Sequence, residues 1–373
     1  MPLQMMAAAA LCMTLPGYSQ TNSASADQLL NQAIDAQQRG DYPVAIRDYR
    51  TVLELRSKDV EARVNLGAAL VHTGHFDEGI AEYKTALPSV AIKDPVLLDL
   101  GLAYYKKGDM KNALEQFDIL HRSQPGNVRV TILLAYTEIN TAHADAAVAL
   151  LSPLESANSA NLEFEYVLGS ALIKDGARTE GVTRLEKVAE ASHNADAYRL
   201  AGSTLLDMND DYERARHDLD AALAIDPKQP GLYTLAGNAR VKSGDLAGAE
   251  EAFRTALKLN PDDVDANLYL GAILYKRRDT DEARGYLERA LRLNPKSSMA
   301  VYEMAMLKST TGQLEAAVSD LEKVTLTDPD WLEPHIALAS LYFRLHRSDD
   351  GTKQREIVDR LTAAQQAKGP GKH

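Results

Sequence analysis

The residues of this sequence that could bind a metal ion are histidines, and two of them lie close together. His72 and His75 flank a short turn in the segment His-Thr-Gly-His. Neutral imidazole is a common metal ligand, but a protein zinc site needs three or four ligands in a fixed geometry. No cysteine and no organised third ligand lie near this pair, and the other histidines share no spacing with it. We therefore predict two solvent-exposed turn histidines rather than a metal site.

Signatures of catalysis are also missing from the sequence. It has no His-Glu-x-x-His motif, no Walker loop, no Gly-x-Gly-x-x-Gly and no Gly-x-Ser-x-Gly. Carboxylate pairs such as Glu250-Glu251 occupy positions typical of a helix surface. The single cysteine, Cys12, excludes a disulfide framework and a cysteine-based zinc site. We expect a protein that is not an enzyme and that binds no cofactor or metal.

The elements that would position any site are repeated along the chain. Residues 230–263 read as two amphipathic helices separated by Gly244-Asp245 and ended by Asn260-Pro261, because proline cannot continue a helix. The small residue Ala249 has equivalents at steps of 34 residues: Ala45, Gly79, Ala113, Ala147, Gly181, Ala215, Ala283, Ala317 and Gly351. The large residue Phe253 recurs in the same register: Tyr49, Tyr83, Phe117, Leu151, Leu185, Leu219, Leu287 and Leu321. In the first helix, the position of Gly237 is small throughout: Ala33, Gly67, Gly101, Ala135, Gly169, Gly202, Gly271, Ala305 and Ala339.

This helix–turn–helix period resembles the tetratricopeptide repeat (TPR) family. The family pattern has a large residue, Leu-Gly and Tyr in the first helix, then Ala, an aromatic residue and Ala in the second helix, then Pro. The third repeat follows it with Leu100, Gly101, Tyr104, Gly108, Ala113, Phe117 and Pro125. The resemblance implies an all-α fold, a right-handed α-solenoid of about ten stacked antiparallel helix–turn–helix hairpins over residues 27–361. It also implies a non-enzymatic scaffold that binds other proteins or peptides in its concave groove.

The N-terminal segment, residues 1–26, is predicted to be a signal peptide or a disordered terminus. Met5 to Leu15 is apolar except for Thr14, which is too short to cross a bilayer as a helix but suits a secretory signal. No Lys or Arg precedes this run. We expect export to the periplasm or out of the cell, with a cytoplasmic location as the alternative, and no transmembrane span.

Two further boundaries follow from proline and glycine. Pro153 falls inside the second helix of the fourth repeat. It indicates either a kink within a continuous solenoid or a hinge near residues 152–161. We favour the kink, because the 34-residue register continues past it. The second helix of the tenth repeat is predicted over about Asp349 to Leu361, and the tail, residues 362–373, is predicted to be disordered.

The charge balance restricts the partners. The formal net charge is −12 and the sequence pI is near 5.3. Nucleic acids are bound largely by Lys and Arg that neutralise phosphates, so an acidic chain argues against them. The sequence therefore favours proteins or peptides as partners, and it does not indicate an oligomeric state.

Candidate partner-binding residues lie where the family geometry places the concave side, on the first helices. They are Tyr105, Lys106, Tyr136, Tyr166, Asn238, Lys242, Tyr275 and Tyr302. Tyrosine is enriched at interfaces because it joins a rigid apolar ring to a polar tip. Lysines recur at the ends of first helices and would favour an acidic segment: Lys106, Lys174, Lys242 and Lys276. The alternative is that several of these tyrosines are packing residues of the repeat.

A second mode of binding within the family is not expected. Some members hold a C-terminal carboxylate with Lys, Asn and Arg on successive first helices. Asn238 sits at a suitable position, but the next two repeats offer Asp265, Tyr269, Met299 and Glu303 where the family would need Asn, Lys and Arg. The alternative function to a scaffold is an accessory or regulatory subunit of a cell-envelope enzyme, an assembly complex or a secretion complex.

Overall fold

The computed structural model describes residues 17–209 and 211–367, and their side chains from residue 25 onward. All regular structure in these ranges is helical, without a strand. The described residues fall into two compact units that meet in sequence between Ala177 and Arg178. The prediction of an all-α solenoid of helical hairpins is confirmed.

Unit 1, which ends at Ala177, contains four hairpins and two further helices within its described residues. Its helices are α1 Gly17–Gln38, α2 Tyr42–Leu55, α3 Val60–His72, α4 Phe76–Ala86, α5 Asp94–Lys107, α6 Met110–Ser123, α7 Val128–Asn140, α8 Ala144–Leu151, the short α9 Glu155–Asn158 and α10 Leu162–Asp175. The hairpins are α1–α2, α3–α4, α5–α6 and α7–α8. Side chains from neighbouring hairpins meet in three apolar clusters.

Unit 2, which starts at Arg178, contains one helix followed by five hairpins. Its helices are α11 Arg178–Ser192, α12 Ala195–Met208, α13 Tyr212–Ile225, α14 Leu232–Ser243, α15 Leu246–Leu259, α16 Val264–Lys276, α17 Thr280–Leu293, α18 Ser298–Thr310, α19 Leu314–Thr327, α20 Leu332–Arg344 and α21 Ser348–Ala367. The hairpins are α12–α13, α14–α15, α16–α17, α18–α19 and α20–α21.

The first helices of successive hairpins also touch one another within each unit. In unit 2 this applies to α12–α14, α14–α16, α16–α18 and α18–α20, whereas successive second helices have fewer such contacts. The first helices therefore form the more tightly curved side of each stack. We call the surface that they form the inner face of a unit, and the surface of the second helices its outer face.

Hairpin packing depends on one contact between a small and a large residue. Phe253 is fully buried, and its ring lies directly against Gly237. A Cβ atom added at Gly237 would come within 2.5 Å of Cε1 of Phe253. Gly101 and Phe117 repeat this geometry at 2.6 Å. The small position lets the helices cross closely, and the large one fills the space beside it.

Removing the large residue should destabilise the stack. We expect Phe253→Ala to lower the free energy of unfolding by about 3–5 kcal/mol, because the change leaves a cavity at a fully buried site. Leu259→Ala is the control on the same helix, since Leu259 is 55% exposed, and it should cost less than about 1 kcal/mol. Urea unfolding followed by circular dichroism measures both variants. A loss for Phe253→Ala no larger than that of the control would contradict the packing role.

The turn inside each hairpin requires a left-handed backbone. In unit 2 the glycines Gly244 and Gly312 adopt φ of 86° and 84° there, and the equivalent Arg278 adopts 69°. Arg278 is exposed, and its side chain makes no hydrogen bond or ion pair with the described residues. A residue with a Cβ atom is strained in this region, whereas glycine is not.

Arg278→Gly should therefore stabilise the protein. We expect a gain of up to about 1 kcal/mol, because relief of backbone strain outweighs the added freedom of the unfolded chain. The control is Glu288→Gly at an exposed position of helix α17, which should lower the free energy of unfolding by about 1 kcal/mol. Thermal unfolding of both variants measures the difference, and a lower melting temperature for Arg278→Gly would refute the strain.

Polar side chains replace the large apolar residue of the family pattern at the start of three first helices. Asn267 donates from Nδ2 to the carbonyl oxygen of Pro261 at 3.0 Å. Nη2 of Arg63 donates to the carbonyl of Ser57 at 2.7 Å, and Nε2 of His335 lies 3.0 Å from that of Pro329. Each carbonyl lies six residues earlier in the chain. A hydrogen bond thus joins each of these helices to the loop that ends the preceding hairpin.

Two predicted boundaries differ from the structure in detail. Helix α1 begins at Gly17, although residues 1–26 were predicted to precede the repeats; the apolar run from Met5 to Leu15 lies outside the described residues. At the other end, α21 continues to Ala367, so the predicted disorder from residue 362 is wrong for residues 362–367. The physical reason is that residues 352–367 contain no glycine or proline to interrupt the helix. The next such residues, Gly369-Pro370, lie beyond the described part of the chain.

The segment around Pro153 shows a local change of helix type. Helix α8 ends at Leu151 and is followed by a 3₁₀ turn over Ser152–Leu154 and by α9. Leu151, before this segment, and Phe164, after it, are both fully buried in one apolar cluster. One apolar cluster of unit 1 therefore includes residues on both sides of the proline.

Candidate functional site

The predicted groove residues all lie on first helices, four in each unit. Tyr105, Lys106, Tyr136 and Tyr166 belong to unit 1, and Asn238, Lys242, Tyr275 and Tyr302 belong to unit 2. Two groups stand out in unit 2, an open cavity around Asn238 and an aromatic group around Tyr302.

In unit 1 the structure brings two of the four residues together. The rings of Tyr105 and Tyr136 have centroids 6.0 Å apart, and Nδ2 of Asn140 donates to the Tyr105 hydroxyl at 3.3 Å. Burial, and next the neighbouring Tyr136, raise the pKa of Tyr105. Tyr136 itself is 39% exposed, so part of its surface is accessible to a partner. Lys106 is exposed, whereas Tyr166 packs partly against the core.

In unit 2 the helices α12, α14 and α16 enclose an open cavity of about 340 Å³. Asn238 and Lys242 both line it. The other lining residues are Ser203, Leu206, Asp207, Asn209, Leu235, Val241 and Tyr269. Oδ1 of Asn238 is buried and has no hydrogen-bond partner among the described residues. A buried amide oxygen without a donor is unfavourable by about 1–3 kcal/mol, so a bound donor would be favoured here.

Lys242 is directed toward the preceding hairpin. Its Nζ atom lies 3.4 Å from Oδ1 of Asn209 and 5.9 Å from the centroid of the Tyr212 ring. The side chain is exposed, and its ammonium group lies at the rim of the cavity. Sequence reasoning missed Asn209 as a site residue because it lies in the turn after α12, outside the helical pattern.

A second group on the inner face of unit 2 is aromatic. Tyr302 and Trp331 have ring centroids 4.9 Å apart, and Tyr275 lies close enough to Tyr302 to affect its ionisation. Burial, followed by the charge of Glu303, raises the pKa of Tyr302 to about 12. Both tyrosines also pack partly against apolar clusters, so the packing role considered as the alternative is present as well. Trp331 was missed because it lies in the loop before α20, outside the helical pattern.

The histidine pair has no metal-site geometry. His72 and His75 are exposed; His72 stacks on Tyr42 at 3.9 Å, and Nδ1 of His75 lies 2.9 Å from Oγ1 of Thr73. No group of three or more potential ligands is arranged for a metal within residues 17–209 and 211–367. In the same ranges, none of the helices has the length and apolar character needed to cross a membrane.

The family of the chain follows from its repeats. Tetratricopeptide repeat models match residues 30–95, 96–127, 234–298 and 274–345. The chain belongs to the tetratricopeptide repeat family. A tetratricopeptide repeat protein from Parabacteroides merdae has the same fold, with a TM-score of 0.55 over 67% of this chain and 99% of that one, at 16% identity. Repeats of this family generally serve as protein-interaction scaffolds.

The chain matches less than half the length of each of three curated relatives. The chain is 26% identical to human protein O-mannosyl-transferase TMTC1 over 258 residues, which are 68% of this chain and 25% of that protein. It is 29% identical to cellulose synthase operon protein C of Komagataeibacter sucrofermentans over 177 residues, 41% of this chain and 13% of that protein. It is 20% identical to anaphase-promoting complex subunit 3 of Schizosaccharomyces pombe over 264 residues, 70% and 40% of the two lengths.

Two asparagines of unit 2 allow a test of whether Asn238 is structural. We expect Asn238→Ala to change the free energy of unfolding by less than about 1 kcal/mol, because its buried oxygen has no partner to lose. Asn267→Ala should cost about 2 kcal/mol, because Nδ2 of Asn267 donates to the carbonyls of both Pro261 and Asp263. Urea unfolding compares the two. Equal losses would mean that Asn238 supports the fold instead of a ligand.

Proposed function

We propose that this chain is a protein-interaction scaffold whose unit 2 holds a segment of a partner protein on its inner face, at the cavity around Asn238. The observation that carries the proposal is the buried, unpartnered Oδ1 atom of Asn238 in an open cavity lined by three successive first helices. A peptide backbone offers N–H donors at regular intervals, and one of them would satisfy this oxygen once the Asn238 amide rotates toward the cavity, because the atom is shielded by its neighbours in the free chain. Tyr269 and Leu235 supply apolar contact beside it.

The cavity has the features of a peptide site rather than those of a catalytic site. It is open, and its lining mixes apolar side chains with amide, hydroxyl and charged groups. Lys242 at the rim would donate a hydrogen bond to a carbonyl or carboxylate oxygen of the segment, since it has only a long contact to Asn209. The candidate tyrosines of unit 1, Tyr105 and Tyr136, would form a separate contact area of the same scaffold.

Site-specific cross-linking tests the proposal in the cell. A photo-reactive amino acid at Lys242 on the inner face should form an adduct with a defined segment of one protein. The same residue placed at Glu251, which is exposed on α15 of the outer face, is the control and should not. Adding Asn238→Ala to the Lys242 derivative should lower the yield about three- to tenfold, because one hydrogen bond to the segment is lost.

The outcome that would contradict the proposal is equally specific. Adducts of the same protein from Lys242 and Glu251 with equal yield would mean that the inner face is not the docking surface. An adduct from Lys242 whose yield is unaffected by Asn238→Ala would remove Asn238 from the site. Circular dichroism of each derivative confirms that the helices are retained.

The alternative is a subunit role within a larger assembly. Anaphase-promoting complex subunit 3 of fission yeast, one of the relatives, is named as a subunit of a complex. In that case the whole chain, with both inner and outer faces, would be covered by neighbours. Stoichiometric co-elution of the chain with the same proteins at dilution would favour a permanent subunit over a scaffold that exchanges its segments.

A further inference from the structure

The inner face of α16, α18 and α20 presents apolar side chains that no described part of the chain covers. Met299 is 40% exposed and Ile336 is 48% exposed. The half-buried rings of Tyr302, on α18, and Trp331, in the loop before α20, lie beside them, and an open cavity of about 580 Å³ adjoins Met299 and Trp331. Clustered exposed apolar side chains in a concave surface are typical of an interaction site.

A half-buried carboxylate lies among these rings without a partner. Glu303 makes no hydrogen bond and no ion pair with the described residues. Its burial raises the pKa of its own carboxyl group, although nearby Lys276 acts in the opposite direction without reaching ion-pair distance. Its charge in turn raises the pKa of Tyr275 and of Tyr302, after burial. These side chains are therefore close neighbours.

Two other acidic groups of this face, Asp265 and Glu333, lie in the first turns of α16 and α20, where the helix dipole favours a negative charge. Burial nevertheless raises the pKa of Asp265, so its charge is only partly compensated. Glu303 lies in the second turn of α18, beyond the reach of that effect. Two cations of the face, Lys276 and Arg344, are at the opposite ends of their helices. The unbalanced charge is thus negative and centred on Glu303.

The outer face of the same unit shows the contrast. Glu250 and Glu282 are both bound by Arg254, with N–O distances of 3.0 Å and 2.8 Å. Arg277 adds a second contact to Glu250. These two outer-face carboxylates are thus paired with arginines, whereas no described cation pairs with Glu303.

We propose that the inner face of α16, α18 and α20 binds a basic segment of a partner protein, with a lysine or arginine side chain placed between Tyr275 and Tyr302 and paired with Glu303. The inference rests on the proposed function, because it names the chemistry of the segment that the scaffold holds. The aromatic faces attract a cation, and the carboxylate completes its coordination. Tyr302, Met299 and Ile336 provide the apolar contact for the rest of the segment.

The inferred segment is basic, whereas the lysines at the ends of the first helices would favour an acidic segment. Lys242 and Lys276 are at the C-terminal ends of first helices, and both are exposed. Glu303 lies deeper, among aromatic rings, where a charge interacts more strongly than it does at an exposed rim. A segment that reaches these rings would therefore be selected by Glu303.

The sole tryptophan of the chain makes the test direct, because Trp331 adjoins the site. The full chain is titrated with two synthetic peptides of equal length, in which lysine or glutamate alternates with alanine and tyrosine. We expect Trp331 fluorescence to change on addition of the lysine peptide, with an affinity at least about tenfold higher than for the glutamate peptide. The affinity should fall as salt is added.

Two matched double variants decide whether the carboxylates beside the rings, Glu303 and Glu333, are responsible. Glu303→Gln with Glu333→Gln should weaken binding of the lysine peptide about tenfold. Glu288→Gln with Glu315→Gln removes the same charge from exposed positions on α17 and α19 and should leave the affinity unchanged. Glutamine has nearly the same shape as glutamate, and circular dichroism verifies the fold of each variant.

Each result has one meaning. Loss of binding in the first pair but not in the second supports the inference. Equal weakening in both double variants would mean that the overall negative charge of the chain attracts the peptide, and this result would overturn the inference. Binding of the glutamate peptide instead, or of neither peptide, also overturns it. Cross-linking from Lys242 is independent of peptide charge, so the proposed function stands or falls separately.

Discussion

The stack depends on one steric relation, the close crossing of a small residue in a first helix and a large residue in the second. Gly237 and Phe253 illustrate it, since the ring of Phe253 occupies the space in which a Cβ atom of Gly237 would lie. Every hairpin must satisfy this relation, because a single hairpin buries too little apolar surface to be stable alone. The residues that do so are therefore fixed by architecture, and they carry no information about a partner.

Positions outside this contact are free to vary, and the structure uses that freedom in two ways. Some are polar and serve the stack, as when Asn267 and His335 bind the loop of the preceding hairpin where the family pattern has a large residue. Others are polar and serve nothing within the described chain, as Asn238 and Glu303 do. The distinction between these two kinds lies in the hydrogen bonds, and residue type does not reveal it.

The fold was predictable because it is encoded locally. A fixed spacing of small and large residues specifies the hairpin, and it also specifies the turn: Arg278 adopts a left-handed backbone although it is not glycine, because its position in the repeat demands it. The site was only partly predictable. Tyr275 and Tyr302 could be assigned to an inner face by register. Trp331 joins them from a loop, however, and Asn209 contacts Lys242 of the next hairpin. Such contacts depend on how neighbouring hairpins stack, which the pattern of a single repeat does not specify.

The treatment of charge shows most clearly where function is to be sought in such a molecule. An acidic chain can place its carboxylates on the surface at little cost, and unit 2 goes further by giving Arg254 to two of them on the outer face. A half-buried carboxylate among aromatic rings has lost part of its hydration, and folding alone gives no reason to keep it there. An apolar residue at position 303 would extend the contact made by Met299 and Tyr302. The presence of Glu303 is therefore better explained by a cation that arrives from outside the chain than by the stability of the stack.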